Sequence, residues 1–309
     1  MSGQVDGAGS HVRIIGALAG VGSGLTKVAV GHGFDTVKTR LQCSPPGTYR
    51  GAVDCLLKTI RNESVFALYK GVTPPAVGWA AIDSILLGSL HNYRLLLLRN
   101  GMSESVPGTD IKRLTLTAHG IAGLFAGLTS AFLATPMELL KVKLQLQLQK
   151  LPSERQFKGP IDCARQVVRA HGIKGLWSAL PASLIYRSNF FWMFLSFEAL
   201  MRTFARMEGT RLEMSTGHAN FLSGGLCSLV YWVMAIPADN VKNRIMATPL
   251  DLQPPSFRTT VRNVYAVSGP KGFYAGLGTS LLRAFPANAC ALFVYEGLMR
   301  FLGAEKTRH

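Results

Sequence analysis

The chain has 309 residues, a formal net charge of +16, and 48% hydrophobic residues. So basic a balance points to nucleic acid or to an anionic membrane. The pattern argues against nucleic acid: there is no zinc-ligand spacing, no RNA-binding aromatic signature and no basic helix apart from the apolar segments. It argues against an enzyme as well, since GxSxG, HExxH and a Walker loop are all missing and the seven histidines are scattered. No metal or cofactor is expected. The five cysteines, Cys43, Cys55, Cys163, Cys227 and Cys290, have neither CxxC nor Cys/His spacing and read as reduced structural thiols.

Residues 1–11 form a polar, glycine-rich tail without the basic start and apolar core of a signal peptide. The first long apolar segment covers 12–41 and ends in GFDTVKTR (33–40). Tyr49-Arg50-Gly51, a short amphipathic stretch and LYKG (68–71) follow, and then a second apolar segment at 73–98. The same order returns twice. The third segment, 113–145, carries PMELLKVK (136–143), then Phe157-Lys158-Gly159, LWSA (176–179) and the fourth segment, 180–206. The fifth, 217–246, carries PADNVKNR (237–244), then Phe257-Arg258-Thr259, FYAG (273–276) and the sixth segment, 278–303. The anchors Gly33, Pro136 and Pro237 lie about 100 residues apart, so the chain is three copies of one unit. The units are 12–103, 104–210 and 211–303, with a tail at 304–309.

Each apolar segment has the roughly 20 residues that a membrane-spanning helix needs. Glycines at close spacing (Gly16, Gly20 and Gly24; Gly120, Gly123 and Gly127; Gly224 and Gly225) let helices approach where apolar attraction between them is lacking. Prolines within helices predict kinks at Pro136 and Pro237. After each anchor an acid and a lysine three residues on share one helical face. The expected pairs join neighbouring units: Asp35 with Lys141, Glu138 with Lys242, and Asp239 with Lys38. Exposed pairs are worth about 0–1 kcal/mol each, so such a ring is a breakable plug.

These repeats resemble the mitochondrial carrier family over about residues 10–303. The family pattern Px[DE]xx[KR]x[KR] stands here three times, followed by Gln42, Gln145 and, in the third copy, Met246; Gly33 takes the first proline's place. The resemblance implies an all-α membrane protein of the mitochondrial inner membrane. Six tilted helices in threefold pseudosymmetry would surround a cavity, with short amphipathic helices on the matrix side. The charged ring would be the matrix gate, and Gln42 and Gln145 its braces. Cardiolipin would bind at elements such as Tyr49-Arg50-Gly51 and Tyr69-Lys70-Gly71, whereas Trp177-Ser178-Ala179 departs from that pattern. The protein would act as a monomer. A cytoplasmic gate would draw on LHNYR (90–94), FEALM (197–201) and YEGLM (295–299), hence Arg94, Glu198 and Glu296. Only Glu296 with Arg94 offers a cross-repeat pair, which favours a resting state open to the cytoplasm.

Ionisable residues within spans point to function. They are Lys27, Asp83, Arg187 and Arg283. The resemblance puts substrate contacts seven and eight residues after each aromatic-basic-glycine marker: Gly78 and Trp79, Arg283 with Ala284, and either Tyr186 and Arg187 or Ile185 and Tyr186. An arginine grips a carboxylate or phosphate. Trp79 offers a π face to an ammonium group, and Asp83 a counter-charge, or else a structural pair with Lys27. GHGFDTVKTRLQ (31–42) and RAFPANACALFVYE (283–296) are similar to the carnitine/acylcarnitine and basic-amino-acid branch. Tyr186-Arg187-Ser188 lacks the acid that the branch has after this arginine. The expectation is an exchanger of an amino acid or carnitine-like zwitterion working by alternating access. The alternatives are a carrier of di- or tricarboxylates or another small anion, and a non-transporting scaffold.

Overall fold

The computed structural model describes residues 3–45, 47–105, 112–149, 152–207 and 215–301. Among these, six long helical segments alternate in pairs with three short helices. Helix α1 runs Gly3–Cys43, so residues expected as a tail continue the first helix. Next come α2 (Ala52–Asn62), α3 (Thr73–Arg99), α4 (Leu116–Gln145) and α5 (Pro160–His171). The fourth segment is split into α6 (Leu180–Ser188) and α7 (Phe190–Ala205). The chain closes with α8 (Thr216–Met246), α9 (Phe257–Ser268) and α10 (Leu277–Phe301).

The split corrects the expectation of one helix over 180–206. At the break the Asn189 backbone N–H donates to the Tyr186 carbonyl, three residues back, at 3.3 Å, and its side-chain amide donates to the carbonyls of Ile185 and Tyr186, both at 3.1 Å. The all-α expectation also omitted a small antiparallel hairpin, β1 (Ser103–Ser105) with β2 (Lys112–Leu114), in which Glu104 stands opposite Arg113.

The long helices close into a ring because each repeat's first helix packs on the preceding repeat's second: α4 on α3, α8 on α6 and α7, and α1 on α10. Small residues set how closely they approach. A Cβ on Gly127 would lie 2.3 Å from the carbonyl oxygen of Arg187, and one on Gly120 would lie 2.7 Å from the Phe191 ring. Gly24, Gly224 and Gly225 have nothing within 4 Å, so the expected close approach does not occur there. By length and composition Leu116–Gln145 and His218–Met246 are each able to cross a membrane. Outward-facing apolar side chains, among them Val77, Leu87, Phe125, Phe132 and Leu282, are exposed.

Pro136 lies inside α4 and Pro237 inside α8. A helical proline leaves the carbonyl four residues earlier without a donor. For Pro136 that carbonyl belongs to Phe132, and the Trp177 indole Nε1–H supplies the bond at 2.8 Å. Trp177 belongs to the repeat 2 marker whose pattern departs from the other two. That marker ends in Ala179 at φ −95°, where the others end in Gly71 and Gly276 at φ +75° and +81°. The glycines' left-handed turns bring backbone close to the ring: a Cβ on Gly276 would lie 2.9 Å from Lys38 Cγ, and one on Gly71 3.0 Å from the Lys141 carbonyl oxygen.

Candidate functional site: a ring of ion pairs beneath a charged cavity

The ends of α1, α4 and α8 converge where the short helices lie, and there the three acids meet the three lysines. Lys141 Nζ reaches Asp35 at 2.6 Å, Lys242 reaches Glu138 at 2.7 Å, and Lys38 reaches Asp239 at 2.6 Å. These are the three inter-repeat pairs expected from spacing. Lys242 also contacts Asp239 of its own helix at 3.0 Å, so the ring is more connected than three separate pairs. Asp239 and Lys242 are buried, while Asp35, Glu138 and Lys141 keep slightly more access to the cavity.

Each ring lysine also lies over an aromatic face. Lys38 is 4.5 Å from the Trp232 ring centroid, Lys242 is 3.9 Å from that of Tyr186, and Lys141 is 5.7 Å from that of Trp79. These distances fall within the range of cation–π attraction. Trp232 was missed in the sequence because it follows an ordinary apolar run. Its place five residues before Pro237 was the available signal.

The two glutamines serve different seams. Gln42 Nε2 donates to Asp239 at 3.2 Å and to the Ala275 carbonyl at 3.3 Å. Gln145 Oε1 accepts from Thr39 at 2.9 Å, and its Nε2 donates to Thr36 at 3.1 Å. The third copy has Met246 because its surroundings are apolar: it is fully buried with Leu139, Val142 and Ile245. Asn243, which spacing did not flag, bonds Gln42 Oε1 at 2.6 Å and Asp239 at 3.3 Å.

A cavity of about 270 Å³ sits directly above the ring, lined by residues including Lys27, Asp83, Tyr186, Arg187 and Arg283. Trp79 is shared between it and a smaller hollow among the ring residues. Of the residues expected to contact substrate, Trp79, Asp83, Tyr186, Arg187 and Arg283 meet here. Gly78 does not: it is buried against α4, where a Cβ would lie 2.3 Å from Met137 Cε. Ile185 is exposed on the outside of the bundle, so of the two alternatives on the fourth segment Tyr186 and Arg187 face the cavity. Asp83 and Lys27 line one wall without a direct ion pair among the described residues.

The arginines are already engaged. Arg187 Nη2 donates to Glu138 at 2.8 Å and Nη1 to Ser130 at 2.9 Å. Arg283 Nη1 lies 3.1 Å from Asp35 Oδ1. Every ring acid is therefore held by two bases. Trp79 likewise faces protein cations, with the Arg283 guanidinium carbon 6.0 Å from its centroid as well as Lys141.

At the opposite end, Arg94 stacks over Phe194, its guanidinium carbon 5.7 Å from the centroid, and no ion pair joins it to the described residues. Glu296 lies outside the described side chains. Glu198 is taken by Arg202 of its own helix at 2.8 Å, with His119 at 3.7 Å. Arg202 also reaches Glu104 of the hairpin at 2.6 Å and the Leu114 carbonyl at 2.7 Å. Arg202 stands one residue past the expected base position, which is why the pattern hid it.

The model of the family described as "Mitochondrial carrier protein" matches residues 13–101, 112–208 and 214–306, one match per repeat. The chain belongs to the mitochondrial carrier family. A Dictyostelium discoideum protein, "Mitochondrial substrate carrier family protein L", is 33% identical over 94% of this chain and 96% of its own length. The bovine "Mitochondrial basic amino acids transporter" is 32% identical over 94% of this chain and 93% of its own. The human "Mitochondrial carnitine/acylcarnitine carrier protein" is 30% identical over 92% and 93%. The carrier is thus a mitochondrial membrane protein of a family of solute transporters, with the three-repeat, six-helix fold of that family.

Proposed function

We propose that this carrier exchanges a small carboxylate-bearing zwitterion, an amino acid or a carnitine-like solute, across the mitochondrial inner membrane. The observation that carries this reading is the placement of Arg187, Arg283 and Asp83 around one cavity. A carboxylate would take the arginines, and a cationic group would lie toward Asp83, the lining acid that no described base pairs. Relatives named for carnitine/acylcarnitine and for basic amino acids support this chemistry.

The mechanism is alternating access through a multi-pass bundle acting as a monomer. Asp35, Lys38, Glu138, Lys141, Asp239 and Lys242 form the matrix gate, and Gln42 and Gln145 brace it. A ligand shifts a two-state equilibrium only by its differential affinity for the states. Here the differential contact is an exchange of partners. A substrate carboxylate takes Arg187 or Arg283 from its ring acid, and that acid keeps a lysine alone. The weakened ring then parts, and substrate binds best to the occluded intermediate. At the cytoplasmic end Arg94, Glu198 and Glu296 would form a sparse second gate, and cardiolipin would bind beside the short helices.

A second reading, a small di- or tricarboxylate, is favoured by charge. Six bases against four acids line the cavity and ring, an excess of two positive charges. Liposomes loaded with unlabelled solute and offered labelled amino acids, carnitine or carboxylates separate the readings. Exchange of a zwitterion that fails in Arg283→Ala, with that variant still folded, is the expected result. Exchange of carboxylates only would favour the second reading, and no exchange of any solute would leave the scaffold.

A further inference from the structure

Each repeat places a base seven residues after its anchor: Arg40, Lys143 and Arg244. In repeat 1 this base has a carboxylate. Both carboxylate oxygens of Glu63 accept from the Arg40 guanidinium, and Oε2 also holds Lys70. Lys70 in turn donates to the carbonyls of Gln147 and Gln149 at 2.6 and 3.0 Å, which ties repeat 1 to repeat 2.

Glu63 stands five residues before LYKG. The same place holds His171 in repeat 2 and Ser268 in repeat 3. Lys143 therefore lacks the acid that Arg40 has. Its hydrogen bond among the described residues goes to the Thr248 carbonyl at 2.7 Å, and an ammonium has two more protons to donate.

Lys143 opens on a hollow of about 170 Å³ at the seam between repeats 2 and 3. Gln147, Gln149 and Gln156 line one side, and residues 247–250 the other. His171 lines an adjoining hollow together with Lys143. Among the described residues, neither lining contains a carboxylate. A half-buried cation without a counter-charge, beside amide donors and open space, calls for an anion.

We infer that this hollow binds a tetrahedral oxyanion, from inorganic phosphate or from a phospholipid headgroup. A lysine supplies the compact point charge that suits phosphate, and the Gln149 and Gln156 amides supply neutral donors. The hollow has room for a four-oxygen anion. Lys143 lies in the last turn of α4 and Thr248 follows α8. An anion held there ties repeat 2 to repeat 3, as Lys70 ties repeat 1 to repeat 2. The site is separate from the central cavity and does not depend on which solute is carried.

Thermal unfolding of the purified full chain in detergent tests the site, with inorganic phosphate in one arm and phosphatidylglycerol in the other. One arm should give a saturable rise in midpoint of roughly 2–4 °C, and the arm that responds identifies the source. Lys143→Gln should lose the rise. His171→Glu keeps the lysine and gives it the acid that repeat 1 has. It should unfold at a higher midpoint without anion and gain nothing when anion is added. Arg283→Ala should keep the rise, which separates this site from the central cavity. No saturable rise in either arm, or a rise that survives both Lys143→Gln and His171→Glu, overturns the site.

Discussion

Arg187 and Lys242 share one carboxylate: the guanidinium meets Glu138 Oε1 at 2.8 Å and the ammonium meets Oε2 at 2.7 Å. A residue facing the central cavity is thereby bonded to the ring below it. Removing the arginine leaves Glu138 with one base and takes a donor from the Ser130 hydroxyl, which still donates to the Gly127 carbonyl at 2.8 Å. Arg187→Ala should lower stability by about 1–3 kcal/mol, the cost of losing charge-assisted hydrogen bonds while Lys242 keeps Glu138 paired. Arg187→Lys should recover little, because an ammonium cannot span Ser130 and Glu138 as a guanidinium fork does. Thermal unfolding of both variants in detergent checks this, and full recovery by lysine would count against the fork.

Asp35 and Lys141 meet across the seam between repeats 1 and 2 at 2.6 Å. A double-mutant cycle with Asp35→Ala and Lys141→Ala should give a coupling energy of about 1–3 kcal/mol, larger than an exposed surface pair gives. A cycle pairing Asp35 with Lys242 should give less, since those two are not in contact among the described ion pairs. Equal coupling in both cycles would contradict the pairing.

Gly127 and Gly224 make opposite predictions from the same residue type. Gly127→Ala forces a Cβ within 2.3 Å of the Arg187 carbonyl oxygen, and Gly224→Ala meets nothing within 4 Å. The first should cost about 1–3 kcal/mol through overpacking. The second should be neutral or mildly stabilising, since alanine outranks glycine in helices by about 1 kcal/mol. Unfolding midpoints measured side by side decide this.

Trp177 caps the Phe132 carbonyl that Pro136 leaves free, at 2.8 Å. Trp177→Phe keeps a ring and removes the donor, so it should cost about 0.5–1.5 kcal/mol, the net worth of one hydrogen bond. The same substitution combined with Pro136→Ala, which restores a backbone donor, should cost less. Additive losses would refute the capping role.

Cys55 of α2 and Cys163 of α5 are fully buried. Burial pushes the Cys55 thiol up to about 11 and the Cys163 thiol up to about 12. Only the thiolate reacts, and at pH 7.5 almost none is present at either position. N-ethylmaleimide should leave both unmodified in the native carrier and label them after unfolding, as read by peptide mass spectrometry. Rapid native labelling of either would show that the short helices detach from the bundle.

Much of this protein was legible in one dimension because its fold is periodic. Three acids and three lysines at fixed offsets from Gly33, Pro136 and Pro237 gave the repeat, the six segments and the ring partners, since an i, i+3 spacing fixes a shared helical face without reference to the rest of the chain. Lining positions such as Trp79, Tyr186 and Arg283 followed from counting along the repeat. Gly78 failed by the same counting, because whether a position opens on the cavity or on the neighbouring helix depends on helix rotation within the bundle. Partner choice was also invisible. Arg187 and Arg283 look in the sequence like free cations within apolar spans, and only the packed helices bring Glu138 and Asp35 within their reach. The aromatic faces over the lysines, the Trp177 cap on Phe132 and the missing acid beside Lys143 likewise join residues distant in the chain. Local spacing determined which groups lie on a common face. Tertiary packing decided which of them meet, because hydrogen bonds and ion pairs act over about 3 Å and sequence patterns do not resolve positions that finely.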